Sequence, residues 1–218
     1  MRFDDLEPLT VVLVRHGETA LTRTKAMSGG SVPGPGLSST GRIQAARAAD
    51  LVFRIGRASY ADLPHPTALH ASPLVRTQET AAAVGRRLGL PVLSAPAFAE
   101  ADFGAWEGRT VDDIEAREPG AVRDWYVDPG KRAPGGESLL EVGTRVGEAL
   151  SALLQEGTGR TVVVVSHAMA IRAALGVSLD LPAERWQAVR VVVGSVSIVR
   201  WWPDGAREVV VVGLPGQV

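Results

Sequence analysis

A histidine flanked by an arginine and a glycine follows an apolar run near the start of the chain, in the order Arg15-His16-Gly17. The apolar residues 11–14 predict a short strand, and the end of a strand holds the next side chains rigidly. A guanidinium offers a planar fork that matches phosphate oxygens, and glycine lets the backbone turn and come close to a ligand. The tripeptide therefore suggests a histidine that handles phosphate. A solvated arginine beside a hydrogen-bonded histidine explains it equally well.

A second arginine lies where a helix is predicted to begin. The strand Thr67–Ala71 is followed by the predicted helix Leu74–Leu88. Ser72 can cap this helix, and Pro73 suits its first position. Arg76 then falls in the first turn, where the helix dipole disfavours a cation. An anion bound there would remove the conflict, and a solvated helix arginine is the alternative.

A second histidine also leaves an apolar strand. The run Val162–Val165 contains four consecutive valines, which predicts a central strand covered on both faces. His167 follows this strand closely, as His16 follows the first one. Open α/β sheets bind ligands at the carboxyl ends of their strands, so we expect the two histidines to share a site. The alternative for each one is a structural histidine held by a hydrogen bond.

Carboxylates, aromatic residues and glycines are mixed in residues 98–108. This mixture is typical of an active-site wall that holds a partly desolvated acid, and a plain surface loop is the competing interpretation. Composition alone does not decide among Glu100, Asp102 and Glu107.

Together, these segments resemble the phosphoglycerate-mutase-like branch of the histidine phosphatase superfamily. The resemblance covers roughly Thr10 to Val212 and rests on five motifs in a fixed order. The motifs are Arg15-His16-Gly17-Glu18-Thr19, Ser72-Pro73-Leu74 with Arg76-Thr77 and Thr80, Glu100 before Phe103-Gly104 and Trp106-Glu107-Gly108, Gly135-Gly136-Glu137-Ser138, and Ser166-His167.

The resemblance implies a role for five side chains. His16 is the nucleophile that becomes phosphorylated, Glu100 is the proton donor, and Arg15, Arg76 and His167 bind the phosphoryl group. His16 must be neutral at its attacking nitrogen, so we expect a hydrogen bond to the backbone to fix its other ring nitrogen. Glu100 gives its proton to the leaving alkoxide and then takes one from the attacking water. His167, if protonated, adds a third cationic donor.

Two positions depart from the usual sequence of that branch. The branch often has Trp-Asn where this chain has Leu21-Thr22, and Thr22 can donate one hydrogen bond through its hydroxyl. The second histidine is usually followed by glycine and here by Ala168, whose backbone N–H stays available unless the position needs a positive φ.

The residues expected to bind the substrate are Thr22, Ser28, Gly29, Ala168, Trp106 and Arg109. The alternative for Trp106 is a place in the core, and the alternative for Arg109 is a solvated position at the surface. The loop Ser28–Gly36 is either a connector or a substrate gate.

Strands and helices alternate along the chain. The predicted helices, besides Leu74–Leu88, are Ser39–Arg54, Val111–Arg123 with an interruption at Pro119-Gly120, Ser138–Gln155, and one after the strand Arg160–Ser166. The other predicted strands are Thr10–Val14, Pro91–Leu93, and a final hairpin of Arg190–Trp202 and Glu208–Val212. This order predicts an α/β three-layer sandwich, with a mostly parallel central sheet, an antiparallel element and helices on both faces. Without a linker or repeat, we expect a single domain over residues 1–218.

Composition agrees with a soluble cytoplasmic enzyme. The net charge of -1 does not indicate a nucleic-acid partner, and the absence of cysteine excludes disulfides and thiol chemistry. The apolar runs have the length of strands, which predicts no membrane span, and the N-terminal residues lack the pattern of a secretion signal. No histidine–carboxylate cluster has metal-ligand spacing, so we expect no metal and no cofactor. His65 and His70 are expected to be non-catalytic.

The sequence therefore favours a metal-independent phosphomonoesterase that hydrolyses a small phosphorylated metabolite through a phosphohistidine. One alternative is a bisphosphoglycerate-dependent phosphoglycerate mutase. The mutases of the family that this chain resembles carry paired arginines in the segment between Gly108 and Gly135, and these are missing here. A phosphate-binding module without turnover is the other alternative. The expected partner is a small-molecule phosphate monoester, and the choice between a monomer and a homodimer stays open.

Overall fold

Six strands form one sheet in the computed structural model, which describes residues 6–216. They are β1 (Leu9–Arg15), β2 (Pro66–Ala71), β3 (Leu93–Ser94), β4 (Arg160–Ser166), β5 (Ser195–Trp201) and β6 (Arg207–Pro215). Their spatial order is β3-β2-β4-β1-β5-β6. The first four are mutually parallel, whereas β5 is antiparallel to both β1 and β6. The predicted mostly parallel sheet with an antiparallel element is confirmed. The ends of the predicted domain, residues 1–5 and 217–218, lie outside the described residues.

Helices cover both faces of this sheet. They are α1 (Ala20–Thr24), α2 (Ser39–Arg54), α3 (Val75–Leu88), α4 (Val111–Glu115), α5 (Ala121–Val127), α6 (Leu139–Gln155) and α7 (Ala168–Ser178). Short 3-10 helices lie at Pro96–Phe98, Gly104–Trp106 and Ala183–Ala188. One hydrophobic core joins the sheet to α6 and α7, and a second joins its other face to α2 and α3. The predicted three-layer architecture follows from these two cores.

The valine run of β4 shows why its sequence does not alternate between apolar and polar residues. Val162 and Val164 belong to the core under α6 and α7, and Val163 and Val165 belong to the core under α2 and α3. All four side chains are fully buried. Because each face of a central strand meets a helix layer, both sets of alternating residues must be apolar.

Several predicted boundaries were wrong, for local reasons. The helix α3 begins at Val75 rather than Leu74, and its N-cap, Leu74, makes no side-chain capping bond. The last hairpin starts at Ser195 rather than Arg190, because a turn at Gly194 precedes the strand and its N–H binds the carbonyls of Arg15 and His16. The short helix α1 was not predicted.

The interruption expected at Pro119-Gly120 divides the predicted helix Val111–Arg123 into α4 and α5. The predicted strand Pro91–Leu93 is instead Leu93–Ser94. Within the described part of the chain, no helix has both the length and the apolar character needed to cross a bilayer.

Candidate active site

The two histidines that follow β1 and β4 come together because those strands are parallel neighbours. Arg15 is in register with Ser166, and the next amide, that of His16, donates to the Ser166 carbonyl at 3.0 Å. The rings of His16 and His167 therefore lie with centroids 5.1 Å apart, in an edge-on arrangement. The predicted meeting of the two histidines at the carboxyl ends of the strands is confirmed.

His16 is held as a neutral imidazole. Its Nδ1 lies 2.7 Å from the Gly17 carbonyl oxygen, and a carbonyl can only accept, so Nδ1 carries the ring proton. Burial, followed by the nearby charges of Arg76 and Arg15, holds the pKa of His16 well below its usual range. The Nε2 atom consequently keeps its lone pair, and the expected backbone hydrogen bond is confirmed.

Gly17 occupies a position where the chain has no room for a side chain. A Cβ atom built there would lie 2.3 Å from the Gly41 carbonyl oxygen, which belongs to the first turn of α2. The Gly17 amide also donates to the Thr80 hydroxyl on α3 at 3.3 Å. Glycine is therefore required for the close approach of the segment that follows His16 to α2.

Arg76 lies fully buried between the second histidine and the loop after α1. Its Nε donates to Nδ1 of His167 at 3.2 Å, and its Nη2 donates to the carbonyls of Ser28 and Gly29 at 2.9 and 3.2 Å. Its Nη1 has no hydrogen-bond partner among the described residues. Because an unpaired buried donor costs about 1–3 kcal/mol, this N–H is suited to an anionic acceptor.

Arg15 offers a second donor of the same kind. Its Nη1 donates to the Val191 carbonyl at 2.6 Å, and its buried Nε has no partner in residues 6–216. Burial lowers the pKa of both Arg15 and Arg76, and the negative charge of Glu100 opposes that shift. The two guanidinium groups remain cationic because the reference value for arginine is so high.

His167 is neutral in this arrangement, and both its ring nitrogens form hydrogen bonds with side chains of the protein. Since Nδ1 accepts from Arg76, the ring proton sits on Nε2, which donates to the Ser72 hydroxyl at 2.8 Å. Burial, then His16 and Arg76, hold the pKa of His167 well below its usual range. The ring is therefore not a cationic donor here, and binding a phosphoryl oxygen through Nε2 requires exchange of the bond to Ser72. Ser72 was expected to cap α3, but its hydroxyl forms a hydrogen bond with His167 instead.

Glu100 lies at the N-terminus of α7, beside the second histidine. Its Oε1 accepts from the amides of Ala101, Met169 and Ala170 at 3.0, 3.0 and 3.3 Å. The positive end of a helix dipole favours a carboxyl oxygen at this point. The structure thus brings Glu100 to the helix that follows His167, where its charge acts on both Arg15 and Arg76.

The other two acidic candidates have different partners. Asp102 accepts from the Gly104 amide and the Ser31 hydroxyl, both at 2.9 Å. Glu107 accepts from the Gly29 amide at 2.6 Å, and its charge acts on Arg76. Sequence reasoning weighed Glu107 only as an acid and missed its place beside Arg76.

Three of the residues expected to bind the substrate lie close to these groups. Ser28 and Gly29 bind Arg76 through their carbonyls, and the buried Ser28 hydroxyl has no partner among the described residues. Ala168 begins α7, directly after the N-cap His167. Its φ is not positive, so alanine fits where the resembling branch usually has glycine.

The other three have different surroundings. The Thr22 hydroxyl donates to the Thr19 carbonyl at 3.0 Å and accepts from the Thr19 amide at 2.7 Å, so it completes the N-cap of α1. Trp106 is only 2% exposed and packs edge-on against Trp125 in the core. Arg109 contacts the loop through its backbone carbonyl, which accepts from the Met27 amide at 2.8 Å.

Residues 6–216 contain no group of three or more histidine, cysteine, aspartate or glutamate residues arranged to hold a metal ion. His65 lies apart from the nucleophile, where its Nδ1 lies 2.9 Å from the Ile55 carbonyl oxygen. His70 lies within β2, opposite Val164 of β4.

The family model of the histidine phosphatase superfamily (branch 1) matches residues 11–213. A bifunctional protein of Mycobacterium tuberculosis is 34% identical over 209 residues, which are 96% of this chain and 55% of that protein, so the chain spans about half of its length. A probable phosphoglycerate mutase of Yersinia pestis is 34% identical over 184 residues, 84% of this chain and 80% of that protein. A solved mycobacterial glucosyl-3-phosphoglycerate phosphatase in complex with VO3 has a TM-score of 0.81 and 29% identity, covering 94% of this chain and 98% of its own.

Proposed function

The chain belongs to the histidine phosphatase superfamily, and we propose that it is a phosphatase that hydrolyses a small phosphorylated metabolite through a phosphohistidine formed on His16, without a metal ion. The observation that carries this proposal is the set of groups around the ring. The charges of Arg15 and Arg76 both act on the His16 ring, whose Nε2 keeps its lone pair, and each guanidinium has a buried N–H with no partner among the described residues. Such donors suit the equatorial oxygens of a phosphoryl group in transfer.

The proposed reaction has two displacements at phosphorus. In the first, Nε2 of His16 forms the N–P bond while the P–O bond to the leaving group breaks. Glu100, which takes up a proton as the phosphate dianion binds beside it, gives that proton to the departing alkoxide. In the second, Glu100 accepts a proton from water as the water oxygen attacks phosphorus and the N–P bond breaks. Arg15 and Arg76 balance the charge of the phosphoryl oxygens in both steps.

Water, rather than a second metabolite, is the proposed acceptor of the phosphoryl group. A mutase must hold a second anionic group of its substrate, which calls for a larger cationic pocket. Two cations between Gly108 and Gly135 are instead paired at the surface, Lys131 with Asp124 at 3.0 Å and Arg132 with Glu141 at 3.2 Å. We further propose that the enzyme acts without a nucleic-acid partner, since its net charge is -1. Its proposed location is the cytoplasm.

The deciding experiment supplies 3-phosphoglycerate with a trace of 2,3-bisphosphoglycerate and compares released phosphate with the 2-phosphoglycerate formed. We expect phosphate release to exceed isomer formation. Isomer formation about tenfold faster than phosphate release would make the protein a mutase. Slow release without isomer would mean that phosphoglycerate is a poor substrate, and a panel of phosphorylated sugar acids and amino acids would then identify a better one.

Activity should survive removal of divalent metal ions. The two arginines already supply the positive charge that a metal ion provides in other phosphatases. We expect unchanged turnover after treatment with a chelator, and vanadate should inhibit the treated enzyme as well as the untreated one. Activity that is lost in chelator and restored by one divalent ion would contradict this proposal.

A further inference from the structure

The backbone around Glu100 is fixed although, beyond the short 3-10 helix Pro96–Phe98, it is neither helix nor strand. All six carbonyls from residue 97 to residue 102 accept a hydrogen bond from another part of the chain. The donors, in order along the segment, are Arg145 Nη1, the Ser166 hydroxyl, Arg145 Nη1 again, Arg145 Nη2, the Gly30 amide and the Glu137 amide. Connecting segments of proteins are usually solvated and variable, so such complete pairing calls for an explanation.

Arg145, on α6, supplies half of these bonds. Its distances to the carbonyl oxygens of Ala97, Ala99 and Glu100 are 2.8, 2.9 and 3.0 Å. The remaining edge of its guanidinium makes a bidentate pair with Glu137, with Nε to Oε1 at 2.8 Å and Nη2 to Oε2 at 2.9 Å. Both side chains are 22% exposed. A planar guanidinium held on two sides in this way has a fixed orientation.

Glu137 binds the same segment directly, and the two glycines before it make this contact possible. Its Oε2 accepts from the Asp102 amide at 2.9 Å, and its own amide donates to the Asp102 carbonyl at 2.8 Å. Gly135 has a φ of +73°, and a Cβ at Gly136 would lie 2.2 Å from the Asp102 carbonyl oxygen. Ser138 then caps α6, which carries Arg145. The Gly135–Ser138 motif therefore brings a carboxylate and an arginine to the backbone of the acid.

We propose that Arg145 and Glu137 are positioning residues for the proton donor of the proposed phosphatase reaction. They fix the backbone of residues 97–102, so that the Glu100 carboxyl stays against the N-terminus of α7, which directly follows His167. Neither residue touches the reacting atoms; both act through Glu100. This inference rests on the proposed function, because a proton donor matters only if a phosphate ester is cleaved.

The leaving group distinguishes this role from a purely structural one. An alkyl phosphate leaves as a strongly basic alkoxide that needs the proton of Glu100, whereas 4-nitrophenolate leaves without one. Loss of positioning should therefore slow the cleavage of an alkyl phosphate and spare that of the aryl phosphate. Loss of folded protein or of phosphate binding would reduce the cleavage of both substrates alike.

The experiment measures kcat/KM for glycerol phosphate and for 4-nitrophenyl phosphate, together with the Kd of vanadate, in Arg145→Lys and Glu137→Gln. We expect kcat/KM for glycerol phosphate to fall at least roughly tenfold, a part of the about 10² to 10⁴ that a general acid contributes. The value for the aryl ester should stay within about twofold, and the Kd of vanadate should not change. Arg160→Lys is the matched control, since Arg160 also binds a glutamate and two backbone carbonyls, but away from this segment.

A double variant tests whether the effect passes through the acid. In a Glu100→Gln background, Arg145→Lys should have no further effect on either substrate, because residues that act as a unit are not additive. An equal loss on both substrates, or a full additional loss in the Glu100→Gln background, would overturn the proposal. If Arg145→Lys does not fold, Glu137→Gln decides the question by the same comparison. A wild-type protein that cleaves neither ester would refute the proposed function and this inference together, whereas normal turnover with an unchanged substrate ratio would refute the inference alone.

Discussion

His16 and Glu100 have different proposed roles, so their substitutions should have different effects on turnover. His16 alone offers a nitrogen lone pair to phosphorus, so His16→Ala should abolish turnover of every substrate. Glu100→Gln removes only proton transfer, and about 10² to 10⁴ in rate should be lost with alkyl phosphates. With 4-nitrophenyl phosphate the Glu100 variant should recover part of that loss, and the His16 variant none of it. Steady-state rates of the two variants on both substrates make the comparison, and equal losses in all cases would contradict the roles given to both residues.

Glu107 gives a second prediction at the scale of one side chain. Its carboxylate binds the Gly29 amide, and its negative charge acts on the buried Arg76. Glu107→Gln keeps an oxygen acceptor for the amide but removes that charge, so a bound anion should be repelled less. We expect the Kd of vanadate to fall roughly 3- to 10-fold and the thermal midpoint to decrease, because a buried cation loses a nearby negative charge.

The matched control for Glu107 is Glu79→Gln. Glu79 also accepts a loop amide, that of Leu37, at 2.9 Å, but its charge is not among those that act on Arg76. It should therefore leave the Kd of vanadate unchanged. A weaker affinity for vanadate in Glu107→Gln would show that the hydrogen bond, rather than the charge, is what matters at this position.

At the scale of helices and strands, the sequence predicts the elements that contain long apolar patterns. The helices α2 and α6 were found because burial imposes a period on many residues at once, and β4 was found because burial on both faces makes its successive residues apolar. The position of His16 at the end of β1 followed from the same reasoning. Such patterns place the two histidines because the ends of strands are marked by a change of residue type.

The hydrogen-bond partners of single polar side chains were not predictable from such patterns. Ser72 has the residue type of a helix cap, yet its hydroxyl binds His167, which lies far from it in sequence. Arg145 looks like any polar residue on an amphipathic helix, and only the fold shows that its guanidinium meets the backbone around Glu100. Residues that act through partners distant in sequence leave no periodic signal, so sequence alone missed them.

Thr22 allows a prediction about an element, the short helix α1. Its hydroxyl completes a reciprocal cap with Thr19, so Thr22→Ala should lower the free energy of unfolding by about 0.5–2 kcal/mol. Because that hydroxyl is already committed to the Thr19 backbone, kcat/KM should change little. Chemical denaturation and steady-state kinetics on the same preparation test both parts. A large loss of kcat/KM with unchanged stability would restore Thr22 as a phosphate ligand.

At the scale of the whole molecule, the site lies where both cores meet the end of the sheet. His16 and His167 follow central strands, and both are enclosed within the protein, with 3% and 0% of their surface exposed. This enclosure is the cause of the lowered pKa of both histidines. The same burial that keeps the nucleophile neutral therefore makes the stability of the fold depend on pH.

The last prediction concerns this dependence. Both histidines have folded-state pKa values well below the 6.5 of the unfolded chain, so below that pH the unfolded chain binds protons that the native protein does not. Stability is then full above about pH 6.5 and falls as the pH decreases, by up to about 1.4 kcal/mol per pH unit for each histidine. His70 shifts in the same direction, whereas the carboxyls whose pKa is lowered, such as Asp124, lose their contribution only at more acidic pH. Urea denaturation between about pH 5 and 7 should show the slope in the wild type, a shallower one in His167→Gln and the shallowest in His16→Gln/His167→Gln. A wild-type stability that stays constant over this range, or a slope that the double variant retains in full, would mean that these histidines are not buried as neutral rings.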